Sequence, residues 1–290
     1  MREKKSKYPV KTLCRVVEVS RSGYYAWELR KPSLHAASDL ELSWRVRTVH
    51  AKARKVYGSP RVQRQLAREG VRVSRKRVAR LMRLNGLYGR KKRRHKATTD
   101  SNHEDPIAPN LLNRNFVSGE PGRVMVGDTT AIPTQQGWLY LAVLTDLCTR
   151  AIIGWSMGVH NDTDLVLAAL RMAMRRGICQ GFIHHTDRGS TYTSAAYRDA
   201  VKAGGGIASM SRKGDCYDNA VAESVFRTVK EEALGDLIPD SPEHAQTLIF
   251  SYIEGFYNSQ RLHSSIGYVP PNEFDRIRRE DLSKNARSAR

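Results

Sequence analysis

The sequence predicts a two-part molecule, an all-α region followed by an α/β domain in which helices flank a mixed sheet. Three observations predict it. Before residue 97 the apolar residues recur at helical spacing in short runs punctuated by Ser, Pro and Gly. After residue 123 three β-rich segments follow at hairpin spacing, and further strand candidates then alternate with helices. Charge changes at the same place: between Val71 and Lys96 there are twelve Lys or Arg and no Asp or Glu. The 290 residues allow two or three domains, and 40% apolar residues suffice for a real core. The expected division is an N-terminal helical segment (1–33), a helical domain with a basic arm (34–96), a linker (97–122), the α/β core (123–238) and a C-terminal helical extension and tail (239–290).

The first elements, from Tyr8 to about Arg30, read as a small helical pair. Ser20 caps the second helix, whose Tyr24, Tyr25 and Trp27 are read as packing residues. A helix from Ser38 to about Ala53 follows, with Leu42, Val46 and Val49 as its apolar side. Ser59-Pro60 supplies an N-cap with proline at the first helical position, then Val62, Leu66 and a stop at Gly70. Ser74 caps a third helix carrying Val78, Leu81 and Met82 and ending at Asn85-Gly86. Two short helices joined by a tight glycine-containing turn, the second bearing Arg75, Lys76, Arg77 and Arg80, read as a helix-turn-helix with a basic recognition helix. A small bundle with a solvated basic face is the plainer reading. DNA binding ranks above it because Arg90, Lys91, Lys92, Arg93 and Arg94 follow at once as a backbone-tracking arm. From Ala97 to Gly122 the chain is polar and broken by three prolines, with Leu111-Leu112 and Phe116 as its apolar anchors.

In the second part the strand candidates are Val124 to Thr130, Gly137 to Leu147, Arg150 to Met157, Phe182-Ile183 and Ile207 to Met210. Helices are expected from Asp162 to about Arg176, from Ser194 to Lys202, and around Glu223. In such a layout Asp128 sits on the first strand, Asp187 just past the fourth, and Glu223 on the following helix. Thirty-five residues separate Asp187 from Glu223. Ala222, Val225, Phe226, Val229 and Ala233 make the apolar stripe of that helix, and Glu223 lies on its flank together with Asn219 and Lys230. Alone, Glu223 reads as a surface partner of Arg227 at i+4, worth about 0.2–0.5 kcal/mol. The two aspartates overturn that reading.

A net charge of +20 with a pI near 10.1 points to a polyanionic partner. No apolar run approaches the ~20 residues that span a bilayer, and no secretory signal is visible, so nucleic acid is favoured over lipid and the cytoplasm is the default compartment. Charge alone does not separate a DNA enzyme from a ribosomal or RNA-binding protein. Cys14, Cys148, Cys179 and Cys216 stand singly and predict neither a disulfide scaffold nor a zinc site. Three carboxylates predict hard-metal chemistry instead. Two divalent ions about 3.5–4 Å apart activate an oxygen nucleophile and stabilise a leaving oxygen across phosphorus, and they take carboxylate ligands. No protein nucleophile is then needed. Ser190 and Tyr192 lack the base and arginine cluster that serine or tyrosine recombination would require. His184 and His185 read as hydrogen-bonded neighbours of the strand end.

These residues resemble a known family. The pieces are Tyr140-Leu141-Ala142-Val143 with Asp146-Leu147 and Arg150, then Ile153-Gly154-Trp155, His185-Thr186-Asp187-Arg188-Gly189-Ser190 and Tyr192-Thr193-Ser194. They continue from Ser209 through Gly214-Asp215-Cys216-Tyr217-Asp218-Asn219-Ala220 to Glu223 and Lys230, and end with Tyr257-Asn258, Arg261, His263 and Pro270. The chain is similar in these pieces to DDE transposases and retroviral integrases of the RNase H-like fold, and most of all to the second-frame product (OrfB) of the IS-three family of bacterial insertion sequences. The resemblance covers nearly the whole chain.

It implies an RNase H-like (integrase-type) core in which Asp128, Asp187 and Glu223 are catalytic and hold two Mg²⁺, with Mn²⁺ as a substitute. It also implies that Lys230 contacts a DNA phosphate. The implied reaction is 3′-end nicking and strand transfer at the terminal inverted repeats of the element, through a circular intermediate and into target DNA. The implied partners are DNA, further copies of the chain assembled on DNA, and an upstream-frame (OrfA) product, in a bacterial cytoplasm at the nucleoid. A metal-dependent nuclease without strand transfer and a DNA-binding regulator with a silent core are the alternatives. The family usually carries Trp three residues before the first aspartate and Thr directly before it, where this chain has Met125 and Gly127. Asp146, at the end of the second strand, is the rival first ligand, although the family motif places it as a structural acid.

Overall fold

The computed structural model describes residues 2–31, 33–90, 106–212 and 216–288. Its helical part comprises α1 (Val10–Val16), α2 (Arg21–Glu28), α3 (Leu34–Lys52), α4 (Ser59–Arg68) and α5 (Arg75–Leu84). The α/β part runs β1 (Val124–Thr134), β2 (Gly137–Asp146), β3 (Ile152–Gly158), α6 (Thr163–Arg175), β4 (Ile183–Thr186), the one-turn α7 (Ser190–Thr193), α8 (Ala195–Ala203) and β5 (Ile207–Met210). Then come α9 (Ala220–Val229), α10 (Pro242–Tyr252) and α11 (Pro271–Ser288), with π-helical turns prolonging α9 over Lys230–Leu234 and α10 over Ile253–Tyr257.

Local chemistry explains most of the helix starts. Ser20, Ser33, Ser74, Asp162, Ser194 and Ser241 each accept from a backbone N–H one turn on, satisfying an amide that the helix leaves unpaired. Two expectations change here. The helix expected from Ser38 starts a turn earlier, because Ser33 is the residue that caps it. Ser59 is the first helical residue rather than the cap, and Gly58 takes the cap position without a side-chain bond. In α2, Tyr24 is buried as expected, but Tyr25 and Trp27 are about half exposed and do not pack inside.

The sheet order is β3-β2-β1-β4-β5. The first three strands form antiparallel hairpins, and β4 and β5 add on in parallel, each reached through a helix. This is the expected mixed sheet flanked by helices. Alternation along β1 divides its side chains between two faces. Met125 joins the face covered by α6 and α8, with Leu144, Leu170, Phe182 and Tyr197. Val126 and Ile132 point to the other face, where Leu112, Ala222, Val225 and Phe226 cover them. Burying a residue such as Phe226 stabilises the fold by roughly 1.5–3 kcal/mol. Gly154 on β3 permits the close approach of α6, since a Cβ there would strike the carbonyl of Ala169 and the methyl of Ala173.

The core on the α9 face is continuous with that of the helical part, running from Val46, Val62 and Val78 to Ile249, Tyr252 and Phe256. Residues 106–122 form no helix or strand, yet they lie against the sheet. Leu112 is buried, and the Leu111 amide donates to Ser209 Oγ at 2.9 Å. Among the described residues no helix is long and apolar enough to cross a membrane.

Candidate active site

Asp128 lies in the middle of β1, at even spacing from Val126 and Ile132, so its carboxylate faces α9. The parallel ladder between β1 and β4 pairs Val126 with His185. Continuing that offset two residues sets Asp187, the first residue past β4, at the level of Asp128 one strand away, about 4.8 Å in sheet spacing. Glu223 enters above them from the first turn of α9, half-buried beside the apolar stripe. Burial raises the proton affinity of Asp128, and the charges of Asp187 and Glu223 raise it further as like charges nearby. Burial also raises Glu223, against the opposing pull of Arg227.

Two donors orient the Asp128 carboxylate. The Thr129 amide donates to Oδ1 at 2.7 Å, and Asn219 Nδ2 donates to Oδ2 at 2.8 Å. Asp187 Oδ1 accepts from the Gly189 amide at 3.0 Å, which folds the turn after β4 around the carboxylate. Among the described residues no three His, Cys, Asp or Glu side chains already stand in a metal-ligating arrangement. The donor chemistry nonetheless suits a hard cation: three carboxylates, all oxygen donors, two of which raise the proton affinity of Asp128 on top of its burial.

Asp146 is placed differently. It pairs with Met125, three residues from Asp128, and so points to the opposite face of the sheet. It is 2% exposed and accepts from the amides of Gly122, Cys148 and Thr149 and from the Thr149 hydroxyl. It is used in holding the β2–β3 turn and in tying that turn to Gly122 ahead of β1.

The two histidines are structural neighbours of the site. His184 is buried on the α6/α8 face with Nε2 2.7 Å from the Tyr197 hydroxyl. Burial, with His185 adjacent, pushes its pKa down to about 3, so it is neutral. Its ring lies against Gly127: a Cβ there would sit 2.6 Å from His184 Cε1. The departure before Asp128 is thereby explained, since the ring occupies the space a Thr side chain would need. Met125 is wholly buried as a packing residue. His185 is also kept neutral by burial, and joins Ser209 Oγ at 2.8 Å to the Asp218 carbonyl at 3.1 Å.

Lys230 is half-buried, and its Nζ donates to the Ala131 carbonyl of β1 at 2.8 Å. Burial lowers its pKa, and the charge of Asp128 opposes that fall. Of the basic residues on α5, Arg75, Lys76, Arg80 and Arg83 are exposed and Arg77 is half-buried. Arg77 and Arg80 instead hold Asp39 of α3, Arg77 through Nε at 2.8 Å, and Arg77 also reaches Ser38 Oγ at 2.9 Å. Arg90 lies near Asp236, 3.7 Å away. Lys91, Lys92, Arg93 and Arg94 fall outside the described residues.

Sequence reasoning gave no role to Asn219 as the partner of Asp128, nor to Arg212 and Asp218 as partners of each other. The available signal was Asn219 four residues before Glu223 on one helix flank. The Arg212–Asp218 pairing leaves no periodic trace.

The integrase core domain family matches residues 119–216, a second integrase core domain family matches residues 207–271, and an HTH-like domain matches residues 37–95. The chain is 44% identical over 263 residues to the "uncharacterized 31 kDa protein" of insertion element IS600 from Shigella sonnei, covering 90% of this chain and 97% of that one. It is 36% identical to the transposase InsF of insertion sequence IS3A from Escherichia coli K12, covering 93% and 95%. It is 38% identical to the transposase of insertion sequence element IS904 from Lactococcus lactis, covering 85% and 98%.

Proposed function

The chain belongs to the transposases of IS3-type insertion sequences, with an integrase core and an HTH-like domain, and on that premise we propose that Asp128, Asp187 and Glu223 are its catalytic residues. It is a DNA transposase, a polynucleotidyl transferase. The single observation that supports the site assignment is that Asp187 and Glu223 both lie near enough to act on the charge of Asp128, whose carboxylate faces α9. The reaction is nicking at the 3′ ends of the element's inverted repeats, followed by attack of the freed 3′-hydroxyl on a second phosphodiester.

Bound by the three carboxylates, two Mg²⁺ or Mn²⁺ would activate the attacking oxygen and neutralise charge on the leaving one. The chain's own residues do the rest. Asn219 and Thr129 fix the direction of the Asp128 carboxylate, the Gly189 turn fixes Asp187, and the buried stripe of α9 fixes Glu223. Lys230 stands against β1 within the influence of Asp128, where release from the Ala131 carbonyl would let it meet a DNA phosphate. Arg75 and Lys76 of α5 and the basic run Arg90–Arg94 supply contacts to the DNA backbone, and Arg77 and Arg80 contribute by seating α5 on α3. Copies of this chain on DNA, and an upstream-frame partner, complete the assembly.

A strand-transfer assay on oligonucleotides carrying a pre-nicked element end tests this reading. Joined product with Mg²⁺, lost in Asp187→Asn and Glu223→Gln while DNA binding persists, is the expected result. Nicking without any joining would leave a nuclease, and binding without nicking a silent regulator.

A further inference from the structure

Asp218 precedes α9 by two residues, and its side chain is closed off from solvent. Its carboxylate accepts from Arg212 Nε, Nη2 and the Arg212 backbone amide, each at 3.0 Å. Asn110 Nδ2 adds a fourth bond at 2.8 Å, and the Arg114 guanidinium lies 3.4 Å away. A forked arginine with both nitrogens on one carboxylate gives direction as well as strength. Its hold draws the Asp218 carboxyl well below the usual carboxylate range.

The backbone of the same residue is held from the other side. The Asp218 carbonyl can only accept, so His185 Nε2 carries the proton of that 3.1 Å bond, and Nδ1 accepts from the Ser209 hydroxyl. Residue 218 is therefore fixed both to the segment before β1 and to β4, two residues short of Asp187. Asn219 follows directly, is 7% exposed, and donates to Asp128 Oδ2.

We propose that the Arg212–Asp218 clasp is a positioning device that sets Asn219 against the Asp128 carboxylate and thereby tunes how tightly the acid site holds its metal. The inference rests on the assignment of Asp128, Asp187 and Glu223 as the metal-holding acids. Arg212 and Asp218 act through Asn219 and touch no reacting atom. The half-exposed Arg212 can be changed without opening the core, whereas the enclosed Asp218 is the riskier change.

The test compares wild type, Arg212→Gln, Arg212→Lys, Asn219→Ala and Asp128→Asn. The readouts are single-turnover nicking against Mg²⁺ concentration, Tb³⁺ luminescence titration without DNA, and thermal melting. Loss of a group that orients a metal ligand weakens metal binding by roughly 10- to 100-fold. Arg212→Gln and Asn219→Ala should shift both the Mg²⁺ half-saturation and the Tb³⁺ midpoint upward by that order, with nicking recovering at high Mg²⁺. Arg212→Lys, which keeps the charge but not the fork, should fall between. Unchanged metal midpoints in Arg212→Gln and Asn219→Ala would overturn the proposal, as would slower nicking at an unaltered Mg²⁺ requirement with a lowered melting temperature. Nicking retained in Asp128→Asn would instead overturn the acid assignment itself.

Discussion

At residue scale, Gly127 shows how the neighbourhood of Asp128 is set by packing. His184 is held between Gly127 and the rings of Tyr192 and Tyr197, with ring centroids 6.5 and 5.8 Å away. Gly127→Thr overfills that space and should destabilise the fold by about 1–3 kcal/mol, as overpacked cores do. Adding His184→Ser should recover part of the loss, and a double-mutant cycle by denaturant unfolding measures the coupling. Additive effects would mean that the ring does not exclude the larger side chain. The three acids and the oddity at Gly127 were legible in the sequence because they stand in short motifs. The role of His184 was not, because it depends on which residue of β4 faces which residue of β1. For Asp146 the residue type fitted a ligand and the family motif a structural acid; strand parity and its four donors, three in the turn and one from Gly122, show how it is used.

At element scale, the π-helical turn after α9 delivers Glu232 to the C-terminal region. Arg261 donates to both its oxygens, Nε at 2.8 Å and Nη2 at 2.7 Å, the Tyr252 hydroxyl adds a bond at 2.8 Å, and Arg61 of α4 stands 3.6 Å away. Arg261→Ala strands a buried carboxylate and should cost about 3–5 kcal/mol. Burial pushes Glu232 up, but the Arg261 fork and the Arg61 charge outweigh it, and its pKa ends below that of an ordinary glutamate. A depressed carboxyl adds stability above its unfolded pKa and loses it as pH falls through the folded one. Glu232→Gln should therefore be less stable than wild type at neutral pH, with the difference shrinking below about pH 4.5, as urea unfolding at a series of pH values would show. A constant difference down to pH 2 would contradict the assignment. Helix and strand positions were legible here from periodicity and caps. The buried charge cluster was not, since its members are 29 and more residues apart.

At the scale of the whole molecule, the helix-turn-helix docks on the far end of the chain. Tyr57 donates to the Gln260 carbonyl at 3.2 Å and accepts from the Leu262 amide at 2.7 Å, Arg61 donates to the Leu262 carbonyl at 3.0 Å, and Arg68 pairs with Glu273. Composition announced a DNA-binding part, but nothing in it told which arginines face outward. The exposed pair at the N-terminus of α5 should read as DNA contacts: Arg75→Gln with Lys76→Gln should lower the slope of log K against log salt by about two units, one per lost phosphate contact. Arg77→Gln with Arg80→Gln should instead lower the melting temperature by freeing Asp39, and a salt slope reduced equally by both pairs would contradict that division. The central claim is that the sheet carries its catalytic acid at Asp128 and a structural acid at Asp146. The most direct measurement is metal-dependent single-turnover nicking of an end-bearing duplex by Asp128→Asn and Asp146→Asn, each checked by melting. The account predicts no nicking from Asp128→Asn at near-native stability, and nicking from whatever Asp146→Asn remains folded at a lowered melting temperature. Nicking by Asp128→Asn, or a stably folded Asp146→Asn without activity, would contradict it.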